Sequence, residues 1–330
     1  MVLQDLVNRQ PWLFIVSLGV IFALIEWGLL LVERRMSYGC RVTERSSHNT
    51  PTPTAGGIIW MLAAIAGMVI FGNLHSEQAC FFLGGTIVLG IISFIDDIHP
   101  LPPVPRLISQ ILVMGLTFKH LANPHAFDIY LLVLFCGVGI INAINFLDGI
   151  CGMLALYGLV VTGSLLYGFY AASLPEISWF IPVLIMVLTA QVVFTCFNLK
   201  DLIFAGDVGS ITLGWIQVFA ALTLILTTRD GVYLVFFAVC VFDTGLTTLQ
   251  RLFAGERILQ PHRKNIYQLL TSAHNLPHLT VSIAYASLQL IINVLFFIIP
   301  TESHSTYLII VSAGLITTYF AIRSYFRQRH

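Results

Sequence analysis

The chain has 330 residues, of which 57% are hydrophobic and only 10% charged, with a formal net charge of zero and a mean hydropathy of +0.88. A soluble domain carries about 25% charged residues, so this composition excludes a water-soluble globular protein and describes one embedded in a bilayer. The six cysteines (Cys40, Cys80, Cys136, Cys151, Cys196 and Cys240) form no CxxC and pair with no histidine, which argues against a zinc site or a disulfide framework, and no charge run offers footing for a nucleic-acid partner.

Apolar stretches predict eleven membrane helices and no strands. They run roughly 12–32, 56–71, 79–95, 106–121, 129–145, 152–170, 179–197, 210–226, 232–249, 281–299 and 307–325. The first is full length and leads directly into further spans, unlike a cleaved signal peptide. Several fall short of the ~20 residues a helix needs to cross hydrocarbon, the fourth being the least secure. Connections are short except 33–55 and 250–280, and no repeat is apparent, so residues 1–330 read as one membrane domain. Thirteen of the sixteen Lys and Arg residues fall in the odd-numbered loops and the C-terminus. That bias places the C-terminus in the cytoplasm and the N-terminus outside, which an odd number of spans requires.

In chain order, the first polar signal is Thr50-Pro51-Thr52-Pro53-Thr54-Ala55-Gly56-Gly57. Proline fixes its own φ and extends its predecessor, so this reads as a stiff strap entering the second span, or simply a connector. Asp96-Asp97 ends the third span; the plainer account is a solvated interface pair. Asn142, Asn145 and Asp148 follow at i, i+3, i+6, drifting about 60° per step and sharing one helix face. Such a stripe beside hydrocarbon must meet protein or water, helix–helix hydrogen bonding being the alternative. Gly206-Asp207-Val208-Gly209-Ser210 precedes the eighth span, where a helix N-terminus offers N–H groups to an anion or where Asp207 is merely a cap. Pro261-His262-Arg263-Lys264-Asn265-Ile266-Tyr267-Gln268 places basic groups that suit phosphate neutralisation, against the alternative of ordinary cytoplasmic-side charge. The orientation brings Asp96, Asp97, Asp148 and Asp207 to the cytoplasmic side, although none of them entered the charge count. Carboxylates gathered beside a membrane form a hard-cation site suited to a diphosphate.

These residues resemble the polyprenyl-phosphate N-acetylhexosamine-1-phosphate transferases (glycosyltransferase family 4). The resemblance is carried in order by Thr52 to Gly57, Asp96-Asp97, the Asn-x-x-Asn-x-x-Asp-Gly run at 142–149, Phe197-Asn198, the run at 206–210, Asp243-Thr244 and Arg251. It covers about residues 50–270, and the eleven-span topology also looks like the family's. Residues 262–268 look most like the branch that initiates O-antigen, a route to lipopolysaccharide; the His-rich loop of peptidoglycan-type members is absent. Two positions depart from the pattern. Asn265 stands where the branch usually has a second His, and Cys151 where the family often has a second Asp. A thiol is a poor magnesium ligand, which leaves altered substrate handling and lost activity both open.

The resemblance implies transfer of an N-acetylamino-sugar 1-phosphate from a UDP-sugar to undecaprenyl phosphate, releasing UMP, at the cytoplasmic face of a bacterial inner membrane. It implies Mg²⁺, or Mn²⁺ in its place, with Asp207 as ligand and Asp148 as a further ligand or a support behind the ion's bound waters. Asp96 or Asp97 would orient or deprotonate the lipid phosphate. Asn142, Asn145, Asn198, His262, Arg263, Lys264, Thr52, Gly56 and Gly57 would bind substrate. Both reactants are anionic, so positioning and charge neutralisation should dominate catalysis. An exposed face of small residues would support a homodimer. An ion-coupled membrane transporter is the alternative, but it expects acids near mid-membrane, where only Glu26 and Asp243 lie. An intramembrane aspartyl protease would need a partner for Asp207 that the sequence lacks.

Overall fold

A computed structural model of the chain describes residues 10–36, 53–119, 127–258, 260, 262–272 and 275–327. The helices, in order, are α1 (Pro11–Met36), α2 (Ile58–Phe71), α3 (Glu77–Ile98), α4 (Pro103–Thr117), α5 (Phe127–Phe146), α6 (Met153–Ala172), α7 (Phe180–Asn198), α8 (Gly206–Thr228), α9 (Ala238–Phe253), α10 (Ile266–Ser272), α11 (His278–Ile298) and α12 (His304–Arg327). Short 3₁₀ turns at Gly231–Phe237 and Thr301–Ser303 lead into α9 and α12. No strand occurs among the described residues. The chain is an all-α polytopic membrane protein.

Each of the eleven expected stretches holds a helix, but two fall short of a full span. Among the described residues, nine helices are long and apolar enough to cross a membrane; Ile58–Phe71, with 14 residues, and Pro103–Thr117, with 15, are not. At 1.5 Å per residue they reach only about 21–23 Å, against ~30 Å of hydrocarbon. Local sequence explains both limits. Gly72 leaves the helix in an extended conformation after α2, while Pro103 at the first helical position lets α4 start no earlier and the helix stops at Thr117, before the expected 121. The short helix α10 lies inside the expected 250–280 loop.

Helix α8 is the axis of the bundle. It is apolar on every side and nearly every residue from Val208 to Leu224 is buried, as expected of a helix with no solvent face. It packs against α3, α5, α2 and α6. Phe82, Phe180 and Phe219 stack edge-on or tilted around it at centroid distances of 4.7 to 5.1 Å. Polar side chains join helices where hydrocarbon would leave them unpaired. Gln217 Nε2 donates to Gly158 O and Thr162 Oγ1 at 3.0 and 2.9 Å. Tyr157 donates to Gln289 Oε1 at 2.6 Å. Because α3 and α5 end where α8 begins, their C-termini and the N-terminus of α8 meet at one end of the bundle.

Candidate active site

The three acidic stretches converge at that end. Asp97, on the last turn of α3, accepts the backbone N–H groups of Asp207 and Val208 on its two oxygens at 2.8 and 2.9 Å. Asp148, just past α5, accepts the N–H of Gly206 at 2.8 Å. The first N–H groups of α8 are therefore capped by carboxylates from two other helices, which satisfies donors a helix otherwise leaves orphaned. This corrects the expectation of an open anion cradle there. Burial holds the Asp148 carboxyl well above the ordinary carboxylate range.

Asp207 is partly exposed and held by side chains from two other helices. Its side chain is 29% exposed, against 6% for Asp96. Its Oδ1 accepts from Asn145 Nδ2 at 2.7 Å, and the same nitrogen reaches Ser210 Oγ at 2.8 Å. Its Oδ2 accepts from Arg106 Nη1 at 2.6 Å. Arg106 also pairs with Asp96, whose other oxygen accepts the N–H of Leu101 at 2.5 Å. Sequence reasoning counted Arg106 only as a cytoplasmic-side charge. The available signal was the Pro102-Pro103 pair, which folds the chain back so that the first turn of α4 lies beside the end of α3.

The strap is built against the same helix start. Glu33, on α1, accepts the N–H groups of Thr54 and Ala55 at 2.8 and 2.9 Å. Gly56 and Gly57 donate to the carbonyls of Phe204 and Ala205 at 3.0 and 3.1 Å. A Cβ on Gly57 would lie 2.2 Å from the Cα of Gly209, so this glycine permits backbone-to-backbone contact. Both strap glycines are buried in that packing. Thr52 lies outside the described residues.

Two other expected substrate-binding residues are engaged elsewhere. Asn142 donates to Gln110 Oε1 at 2.6 Å and to Val138 O at 2.8 Å, joining α5 to α4. Asn198 is buried, with Oδ1 accepting from Gly152 N and Nδ2 donating to Ile203 O, both at 2.9 Å. Cys151 belongs to the same clamp: its thiol donates to Asn198 O at 3.0 Å, and burial pushes that thiol up to about 12. A protonated thiol held by a carbonyl does not face the acids. Cys151→Ser is accordingly expected to keep turnover, because a hydroxyl makes the same bond, with stability within about 1 kcal/mol of wild type by thermal melting. Cys151→Asp buries a carboxylate against a carbonyl and should destabilise by several kcal/mol. A gain of activity in Cys151→Asp would overturn this placement.

The basic segment adjoins the acids through α10. Tyr267 donates to Phe146 O, and its hydroxyl lies 2.4 Å from where a Cβ on Gly149 would stand. The His262 ring rests against Phe146 with centroids 5.7 Å apart. Burial, and next the Arg251 charge, pushes His262 down to about 4, so it is neutral at neutral pH. Lys264 is paired with Glu256. Arg263 is exposed and carries no hydrogen bond or ion pair among the described residues, leaving its charge for a ligand. Asn265 is buried, with neither amide atom bonded.

A family profile described as glycosyl transferase family 4 matches residues 79–225, which contain Asp96, Asp97, Asn145, Asp148 and Asp207. The chain belongs to that family, the polyprenyl-phosphate hexosamine-1-phosphate transferases. This family-4 transferase is 29% identical over 273 residues to the phospho-N-acetylmuramoyl-pentapeptide-transferase of Staphylococcus epidermidis, covering 72% of this chain and 82% of the relative. It is 30% identical over 230 residues to the protein of that name in Streptococcus agalactiae, covering 60% and 66%. The family-4 chain is thus a multi-pass membrane transferase.

Proposed function

We propose that the chain transfers an N-acetylamino-sugar 1-phosphate from a UDP-sugar to undecaprenyl phosphate at the cytoplasmic face of a bacterial inner membrane. The observation that carries this reading is the convergence of Asp96, Asp97, Asp148 and Asp207 with Asn145 and Arg106, beside the free cation of Arg263. A phosphate oxygen of the lipid attacks the sugar-linked phosphorus; the bond from that phosphorus to the bridging oxygen breaks, and UMP leaves. Asp97 has both oxygens on backbone amides and Asp96 is buried against Arg106, so neither is a free base. None is needed, since a phosphate monoester with a second pKa of about 6 is mostly ionised at neutral pH. The residues instead supply position and charge: Arg263 faces the diphosphate, and Asn145 and Arg106 orient Asp207.

A divalent cation fits this donor set. Among the described residues no three His, Cys, Asp or Glu side chains could hold a metal by themselves. Mg²⁺ habitually takes one or two carboxylates and completes its octahedron with waters and substrate phosphate, which suits the partly exposed Asp207 with Asp148 near it. The Arg106 guanidinium paired with Asp96 and Asp207 supports a reading in which this spot favours positive charge. When bound, the ion would neutralise charge developing on the diphosphate.

Residues 262–268 favour an amino sugar of the O-antigen type, whereas the relatives' names favour phospho-N-acetylmuramoyl-pentapeptide as the transferred group. The comparisons lend no support to an ion-coupled transporter. The test is UMP release by purified protein with undecaprenyl phosphate and a donor panel. The panel holds UDP-N-acetylglucosamine, UDP-N-acetylgalactosamine, UDP-N-acetylfucosamine, UDP-N-acetylquinovosamine and UDP-N-acetylmuramoyl-pentapeptide. Lipid-dependent release with one amino sugar, abolished by chelation and restored by Mg²⁺, is the expected result. Release only with the pentapeptide donor would replace the O-antigen reading, and none from folded protein would overturn the function.

A further inference from the structure

We propose that Arg251 is a positioning residue that shapes the donor-binding loop without touching the donor. This rests on the reading that His262 and Arg263 meet the diphosphate. Arg251 ends α9, and its side chain is only 5% exposed. The chain that follows wraps its guanidinium. Nε donates to Glu256 Oε2 at 3.0 Å and Nη1 to Ile258 O at 3.1 Å. Nη2 donates to Arg257 O at 2.8 Å and to Gln260 O at 3.0 Å. Guanidinium presents five donors in a rigid planar fork, and four are engaged by one stretch of loop, three of them on main-chain carbonyls. Such bonds fix the path of the backbone whatever its side chains. A buried guanidinium that lost them would be left unpaired at high cost, so loop and arginine order each other.

The same helix fixes the far end of the loop. Asp243 lies eight residues earlier, a little over two turns back and about 80° round the helix. It accepts the N–H of Ile266 at 2.7 Å and the hydroxyl of Tyr285 at 2.9 Å. Glu256 closes the span between the anchors by pairing with both Arg251 and Lys264. His262 and Arg263 sit between these two ties, and Tyr267 then joins the segment to Phe146 beside Asp148. The last turns of α9 therefore set where Arg263 stands relative to the acids.

The experiment is calorimetric titration of UDP, with Mg²⁺, into full-length protein in detergent: wild type, Arg251→Gln, Arg251→Lys and Arg263→Ala. It is paired with thermal midpoints and the KM for undecaprenyl phosphate in the UMP-release assay. Both Arg251 variants are expected to weaken UDP roughly tenfold or more, with the midpoint and the lipid KM close to wild type. Lysine should not rescue, because one ammonium cannot meet four divergent acceptors. UDP affinity kept in Arg251→Gln but lost in Arg263→Ala overturns the inference and spares the donor-site reading; affinity kept in all three overturns both. Equal losses in midpoint and in both substrates would reduce Arg251 to general scaffolding and also overturn it. Should Arg251→Gln fail to fold, Glu256→Gln serves instead, with a smaller loss of UDP affinity expected and an unchanged affinity counting against the proposal.

Discussion

Asp207→Ala is expected to lower the rate of UMP release by about 10²–10³-fold, the range seen when one preorganised electrostatic group is removed from a phosphoryl- or acyl-transfer site. Asp207 is the carboxylate of the cluster whose two oxygens are both held by side chains from two other helices. Arg106 and Asn145 fix both of its oxygens, so its position is set before any substrate arrives. The alanine variant leaves Arg106 paired with Asp96 and leaves the Asp97 and Asp148 caps on α8 in place. The protein should therefore stay folded, with a monodisperse detergent profile and a thermal midpoint near wild type. Asp207→Asn separates charge from shape. It is nearly isosteric and should lose almost as much, because the proposed hard-cation site needs the carboxylate. Rates near wild type in either variant would remove Asp207 from the site.

Gly206→Ala should be as damaging, for a different reason. Gly206 opens α8 with φ of +70°, a region an L side chain occupies only at a cost of about 1–3 kcal/mol. Its added Cβ would lie 2.0 Å from the carbonyl oxygen of Thr54 and 2.9 Å from Asp97 Oδ2. The strap cannot yield easily, since Glu33 holds the amides of Thr54 and Ala55. Relief must come by moving Asp97 or the first turn of α8, and either displaces Asp207. Strain and overpacking together should destabilise by about 2–6 kcal/mol, with activity lost well below the melting midpoint. Gly139→Ala is the control: nothing lies within 4 Å of its added Cβ, and it should behave as wild type. A Gly206→Ala enzyme with full activity would show that the strap and Asp97 are not coupled to Asp207 in this way.

The acids were legible in the sequence because a carboxylate beside hydrocarbon is expensive and thus conspicuous. What each acid does was not legible. Asp97 and Asp207 share the look of span-end aspartates, yet one caps the α8 amides and the other is held by the Arg106 and Asn145 side chains. Asn142 and Asn145 sit three residues apart on one helix face, yet Asn142 reaches Gln110 and Asn145 reaches Asp207. The difference is set by which helix packs opposite, and periodicity carries no information about that. Glu33 gave no signal at all, because its partners are backbone amides some twenty residues away.

Composition and apolar length alone determined the class: a chain with one residue in ten charged cannot be solvated as a globule, and its backbone must pair within helices inside lipid. Motif order alone pointed to the family. Only the tertiary structure turned Asn142, Asn198 and Cys151 away from the acids and brought Arg106 between Asp96 and Asp207. Those outcomes depend on contacts between residues 10 to 101 positions apart, which arise when α3, α4 and α5 close around the start of α8. Local sequence fixes where a helix begins and ends; the direction a polar side chain takes is decided by the neighbour that can satisfy it.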